Sequence, residues 1–343
     1  MEVSLTPRQM AKGLLNGVAP PRPLFLPIVF SLGSKVENVS LDAFLRNPTK
    51  ISNSLRQMRN PLRADGVACY FDPYLEVEAL GATLERISDD QAPTIHWPGS
   101  ARGGELPEGL RSPEEAVRSG RVPVAGEVLR RMNSLPNREF LLMAGVTGPL
   151  TLAARITRLE NQEIVKIEDL AEAAMELAAS VVTETASTFL EAGADVIFIQ
   201  EGILPDFSAE SCDGWASLLA PTINVARFYE AIPVLLFPPS PFSHQNWELI
   251  CRQHWECVSC LPEAVLASGR REDLIATEAA LLGVALPLEE FRSEGGCGIT
   301  TVQEIQTLIA KLRPSIVTTD GDVPVTTEMK QLIKVFEGVR GAV

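Results

Sequence analysis

Basic residues are in short supply. Thirty lysines and arginines stand against 44 aspartates and glutamates, a formal charge of -14. No basic stripe is available to neutralise a phosphate backbone, so nucleic acid is excluded as an expected partner. The same balance repels polyanionic small molecules unless a pocket is locally basic. Cysteine is sparse as well: six in 343 residues are too few for a disulfide scaffold, and in a reducing compartment they serve as thiols or ligands. Long apolar runs are missing, since none reaches the roughly 20 residues that a membrane helix needs. The N-terminus also lacks the charged, apolar, small-residue order of a secretory signal. These absences read as a soluble, cytoplasmic protein with no membrane partner.

What is present is enough apolar side chain, 45% of the chain, to bury a large core. A closed α/β barrel uses about 250 residues or more, so one domain spanning 1–343 is the simplest division. Thr6-Pro7-Arg8-Gln9 has the form of a capping box with proline at the first helical position, and Gly17 marks that helix's end. Eight short β-rich runs then alternate with helical patterns: Leu24 to Phe30, Val67 to Phe71, Phe140 to Val146, Val196 to Gln200, Val234 to Phe237, Cys257 to Leu261, Val284 to Leu288 and Ser315 to Thr319. The helix before the fourth run spaces Ile167, Leu170, Ala174, Leu177 and Val181 three and four apart, with Gly193 beyond its end. A helix opening at Thr300 or Thr301 places Val302, Ile305, Ile309 and Leu312 on one face, and a last one spans Thr327 to Phe336. The pattern predicts a (β/α)8 TIM barrel with an N-terminal helix. The Pro- and Gly-rich stretch Gln91 to Pro107, with a helical segment to Arg131, is an excursion over the mouth between the second and third strands.

In such barrels the loops after the strands' C-terminal ends converge on the axis and hold the chemistry. That rule selects Asp72 after the second strand and Gln200 and Glu201 after the fourth. If Asp72 and Glu201 face each other across a shared cavity, burial and mutual repulsion raise one pKa and create an acid/base pair. The bland alternative is that one of them caps a loop or pairs with Arg155. Substrate contacts are expected from Tyr74, Thr147, Arg155, Phe237, His244 and Glu289, while His96 lies in the excursion as a possible lid residue. Cys251, His254, Cys257 and Cys260 are spaced three apart like a zinc cluster, but the predicted elements put the first pair at a helix end and the second on a strand, where buried thiols are the simpler reading.

Four segments go further. Tyr70-Phe71-Asp72-Pro73-Tyr74-Leu75-Glu76-Val77-Glu78-Ala79-Leu80-Gly81, Gly148-Pro149-Leu150-Thr151-Leu152-Ala153, Glu191-Ala192-Gly193-Ala194-Asp195-Val196 and Gly321-Asp322-Val323-Pro324 resemble, in order, motifs of the uroporphyrinogen decarboxylase superfamily and its methylcobamide-dependent methyltransferase branch. The resemblance implies a TIM barrel in which Asp72 falls on the family's catalytic aspartate and Glu201 overlies an acidic position. It also shows departures. The loop after the first strand, Leu26 to Gly33, holds no arginine to grip substrate carboxylates. Arg155 stands where the family has a tyrosine, Gly202 where it has a serine, and no histidine lies near Gly321. The zinc-ligand positions of the thiol-directed methyltransferases, after the fifth and eighth strands, read Pro238-Pro239-Ser240 and Thr319-Asp320-Gly321.

The resemblance therefore implies a methyltransferase component of a corrinoid-dependent C1 system. A separate corrinoid-binding protein would supply the cobalamin-type cofactor, and a small organic compound would be methyl donor or acceptor. Zinc is not expected at the vacated ligand positions. Two alternatives stay open: a lyase that protonates a different substrate through Asp72, and a non-catalytic barrel that scaffolds a methyltransferase complex. A homodimer through the helical rim is what family relatives suggest.

Overall fold

The computed structural model describes residues 5–89, 91–99, 105–159, 169–204, 207–237, 249–250, 257–262, 281–287 and 299–341. In chain order the strands are β1 Leu24–Phe25, β2 Gly66–Tyr70, β3 Thr83–Glu85, β4 Thr94–His96, β5 Leu141–Thr147, β6 Val196–Gln200, β7 Ile232–Leu236, β8 Val258–Pro262, β9 Leu281–Leu286 and β10 Ile316–Thr319. Eight of them form one parallel sheet in the order β1-β10-β9-β8-β7-β6-β5-β2. Each of the eight expected β-rich runs meets one of these strands, and together they make a nearly closed TIM barrel. Strands such as β2, β5 and β7 are buried along their whole length, as parallel strands covered on both faces must be.

The sheet has no ladder between β1 and β2, and Asp65 closes the gap with both its backbone and its side chain. The Asp65 N–H donates to the Phe25 carbonyl at 2.9 Å, and its carboxylate accepts from the Phe25 N–H at 2.8 Å while paired with Arg22 at 2.6 Å. The first run was expected to continue as strand to Phe30, yet only Leu24–Phe25 pair in the ladder. Beyond them the end of β10 supplies partners: the Leu26 carbonyl accepts from the Thr318 hydroxyl at 2.7 Å, and the Ile28 N–H donates to the Thr319 hydroxyl at 3.0 Å. The backbone is satisfied either way, but side-chain partners free this segment to turn at the mouth.

Helices follow the sequence signals closely. Thr6 and Gln9 form a reciprocal capping box at the start of helix Pro7–Leu15, and Gly17 takes a φ of 75°. Helix Glu172–Glu191 buries Ala174, Ala178, Val181 and Phe189, and Gly193 follows with φ 103°. Helix Ile299–Leu312 buries Ile305, Ile309 and Leu312. The last helix is Met329–Arg340, later at both ends than expected. The connection between β2 and β5 contains a β3–β4 antiparallel hairpin, which starts ahead of the Gln91 expected to open the excursion, then a short helix Pro113–Ala116 and a longer one, Val122–Asn133. Its His96 pairs with Glu85 on the facing strand at 3.0 Å and is half exposed. No described helix is long and apolar enough to cross a membrane.

Candidate functional site

A cleft of about 240 Å³ opens at the C-terminal mouth. Phe71, Asp72, Pro73 and Tyr74 after β2 form one wall, and Asp322 and Val323 after β10 form another; Arg86, Asp89 and Gln91 reach in from the hairpin. Gly145 on β5 is what lets Phe71 lie here, since a Cβ at that position would come within 2.3 Å of its ring. The ring extends towards Phe198 on β6, with centroids 6.4 Å apart. A wider hollow of about 700 Å³ lies at the opposite rim, lined by Arg8, Arg138, Asp195 and neighbours. It surrounds ion pairs at the barrel floor, the end where barrels invest in stability.

Asp72 is buried and tightly held. One carboxylate oxygen accepts from the Tyr74 N–H at 3.0 Å, and the other is paired with the Arg121 guanidinium. Arg121 leads into helix Val122–Asn133 and is itself buried; it also grips Glu78, which Arg46 reaches from the far side at 2.8 Å. Burial alone would favour a neutral Arg121, but the charge of Asp72, with Tyr70 and Glu78, outweighs it and raises the pKa. The partner of Asp72 is therefore Arg121 and not Arg155. Arg155 donates to the Pro73 carbonyl and lies over the Tyr74 ring, 4.6 Å from its centroid. Its own carbonyl accepts from the Trp97 indole at 3.0 Å. The ring of Tyr74 is thus backed by a cation on the way into the cleft.

Glu201 does something else, which corrects the expectation of a cavity shared with Asp72. It is fully buried, and its oxygens accept from the Leu150 N–H at 3.2 Å, the Thr151 N–H at 3.0 Å, the Thr151 hydroxyl at 2.6 Å and the Trp215 indole at 2.9 Å. The two N–H groups are orphan donors in the first turn of helix Pro149–Ile156, whose N-cap Gly148 has no side chain to satisfy them. A Cβ on Gly148 would come within 2.2 Å of the Glu201 carboxyl carbon. Glycine there makes room for a cap delivered from another strand. Burial raises the Glu201 pKa and these hydrogen bonds oppose the rise, but Glu201 does not line the mouth cleft.

Thr147 and Phe237, expected at the substrate, are also turned inward. The Thr147 hydroxyl lies 2.9 Å from the Pro73 carbonyl and 2.8 Å from Glu76, and its N–H donates to Glu76 at 3.2 Å. Glu76 is wholly buried, and that burial pushes it up to about 7. Phe237 meets Trp215 edge to face at 6.2 Å. Gln200 stays partly buried at the end of β6, where its carbonyl accepts from the Gly148 N–H at 2.7 Å. His244 and Glu289 lie outside the described residues, as do Cys251 and His254. Cys257 and Cys260 are buried thiols whose pKa burial raises. Of the expected residues, the structure brings Asp72 and Tyr74 to the cleft with Arg155 behind them.

Two residues escaped the reading of the sequence. Arg121 interrupts no periodic pattern; its signal is the need of Asp72 and Glu78 for a cation. Asp322 lies within the Gly321-Asp322-Val323-Pro324 motif, past the strand end at Thr319-Asp320 where the barrel rule looks.

A parallel barrel with a carboxylate-lined cleft at its C-terminal mouth is the layout of barrel enzymes. The chain belongs to the uroporphyrinogen decarboxylase family, whose model matches residues 12–238. A curated relative, a methylcobamide:CoM methyltransferase of Methanosarcina barkeri, is 24% identical over 131 residues, 37% of this chain and 37% of that protein. The matched part thus spans well under half of the relative's length. A methyltransferase from Methanosarcina mazei has the same fold at a TM-score of 0.73 and 17% identity, over 98% of this chain and 99% of its own.

Proposed function

We propose that the protein is the methyltransferase component of a corrinoid-dependent C1 system, moving a methyl group between a small organic compound and a corrinoid held by a partner protein. The observation that carries this reading is the cleft: a small, partly apolar chamber at the barrel mouth with a carboxylate locked in place. It is of a size for a small molecule, and its lining offers Arg86 as the one cation among the described residues, unlike a site built to grip the many carboxylates of a porphyrinogen. Family membership and the activity of the methylcobamide:CoM methyltransferase relative support this reading.

In this reading Tyr74 and Phe71 supply apolar surface for the substrate, Arg155 steadies Tyr74, and Asp72, fixed by Arg121 and the Tyr74 N–H, presents a positioned hydrogen-bond acceptor that orients the donor. Gln200 and Glu201 hold the neighbouring strand end and helix start without touching the substrate. The corrinoid supplies the methyl-accepting or methyl-donating centre when its carrier docks over the mouth. Zinc does not fit the described part of the site. Where the resemblance places a ligand after β10, the Thr319 hydroxyl is taken up by the Ile28 N–H and the Gly321 carbonyl, and no thiol or imidazole is there to replace it.

The test is spectroscopic. The protein, with cob(I)alamin or methylcobalamin and a panel of methoxylated compounds, methylated amines and thiols, should change the corrinoid absorption with at least one compound. Absence of any compound-dependent change across the panel would remove the methyl-transfer reading. Decarboxylation without corrinoid would replace it with a lyase.

A further inference from the structure

With Glu201 committed to a helix end, a second carboxyl in the cleft has to come from elsewhere. Asp322 lies on the same cleft as Asp72, and its two oxygens accept from the Phe30 N–H at 2.7 Å and the Ser31 N–H at 2.8 Å. Those bonds fix the carboxyl to the segment after β1 and leave each oxygen acceptor capacity for a proton or a ligand. Asp72 has a guanidinium on one oxygen; among the described residues Asp322 has no ion-pair partner. One wall of the cleft therefore carries a neutralised carboxylate and the other an unneutralised one.

We propose that Asp322 is the proton-carrying group of this cleft, the carboxyl that hands a proton to a bound oxygen or nitrogen as that atom gives up its methyl group. The identity of the leaving atom rests on the methyl-transfer reading; the position of the proton rests on the cleft alone. In the step, the bond between the methyl carbon and the heteroatom breaks and the heteroatom keeps both electrons. It then bonds to the Asp322 proton and leaves Asp322 as carboxylate. The methyl group goes to the reduced corrinoid of the partner protein, and water returns the proton.

The surroundings of Asp322 suit that work. Burial pushes its pKa up to about 7 against the hydrogen bonds from Ser31 and Phe30, and the charge of Asp72 adds to the rise. The other charged groups on the cleft are Asp89 and Arg86 from the hairpin side. A group that titrates near neutrality combines availability of the proton with the drive to release it.

The experiment is a pH titration of the full-length protein carrying 13C-labelled aspartate carboxyls, followed by NMR, on the wild type, Asp322→Asn and Asp72→Asn. A resonance that titrates near 7 and is missing only from Asp322→Asn is expected; if the resonance lost in that variant titrates in the ordinary range, about 4, the proposal is overturned. The second arm is the pH profile of methyl transfer. The wild-type rate should fall as pH rises through about 7, Asp322→Glu should keep that limb, and Asp322→Asn should lose it with a rate lower by about 10²–10⁴-fold. An unchanged limb in Asp322→Asn also overturns the proposal. A resonance near 7 with no methyl transfer from any compound would instead retire the methyl-transfer reading and leave Asp322 as the titrating group of the cleft.

Discussion

Asp72 and Glu201 follow two strands of one barrel, both are buried, and both are carboxylates on which the reading of the sequence placed the same chemistry. Their surroundings divide them. Glu201 receives four hydrogen bonds from neutral donors, three of them from the first turn of a helix, and is enclosed between that helix and Trp215. Asp72 receives one backbone N–H and one guanidinium and borders an open cleft. The lesson is that a strand-end carboxylate serves the fold when orphan backbone donors claim it, and is free for a ligand when a cation neutralises it at the cavity wall.

The largest expected effect breaks the comparison on its structural side. Glu201→Ala strands two backbone N–H groups, an indole N–H and the Thr151 hydroxyl in the interior, and at about 1–3 kcal/mol for each buried unpaired group it should cost about 4 kcal/mol or more in urea denaturation. Whatever remains folded should bind a cleft ligand normally; a loss of binding without a loss of stability would return Glu201 to the site. Next comes Arg121→Met, which leaves Asp72 and Glu78 without the cation between them. Removing one partner of a buried pair costs about 3–5 kcal/mol, and the lower figure is expected because Arg46 still reaches Glu78. Asp72→Asn should destabilise less than Arg121→Met, because Arg121 keeps its bond to Glu78, yet remove more of any methyl transfer.

The pH dependence of stability sharpens the contrast. Glu76 and Asp322 hold their protons in the folded protein up to about 7, whereas in the unfolded chain they release them near the ordinary value of about 4. Between those values the native state binds more protons, so stability should fall as pH rises through the window. Thermal melts from pH 4 to pH 8 should show that slope, and Asp322→Asn should flatten part of it. A rise over the same window would contradict the assignment. The smallest effect is expected from Arg155→Leu, which removes the cation from the Tyr74 face at about 0.5–1 kcal/mol and should weaken cleft binding a few-fold with little change in melting temperature.

Most of the fold was legible in the sequence because its signals are local. Short β-rich apolar runs mark strands, and the Thr6 capping box and Gly193 mark helix ends within a few residues of themselves. The first strand is shorter than its apolar run for an instructive reason: Leu26 to Phe30 look like strand, but beyond Phe25 they mix backbone partners, Val317 and Val323, with side-chain partners, Thr318, Thr319 and Asp322, about 290 residues away in sequence. The site was half legible. Asp72 and Tyr74 were found by position at a strand end; Thr147, Phe237 and Glu201 satisfied the same rule and point inward, because the rule locates a backbone position and not a side-chain direction.

By itself the sequence determined that eight parallel strands would alternate with helices and that their C-terminal ends would gather acidic residues at one rim. Both follow from apolar periodicity and turn chemistry, which act over a handful of residues. Only the tertiary structure decided which acid meets the cleft. That choice depends on Arg121 arriving beside Asp72 from 49 positions away, on Gly148 leaving space for Glu201, and on the segment after β1 offering two N–H groups to Asp322. Charge neutralisation and hydrogen-bond satisfaction are settled between groups that the chain brings together only when the barrel closes.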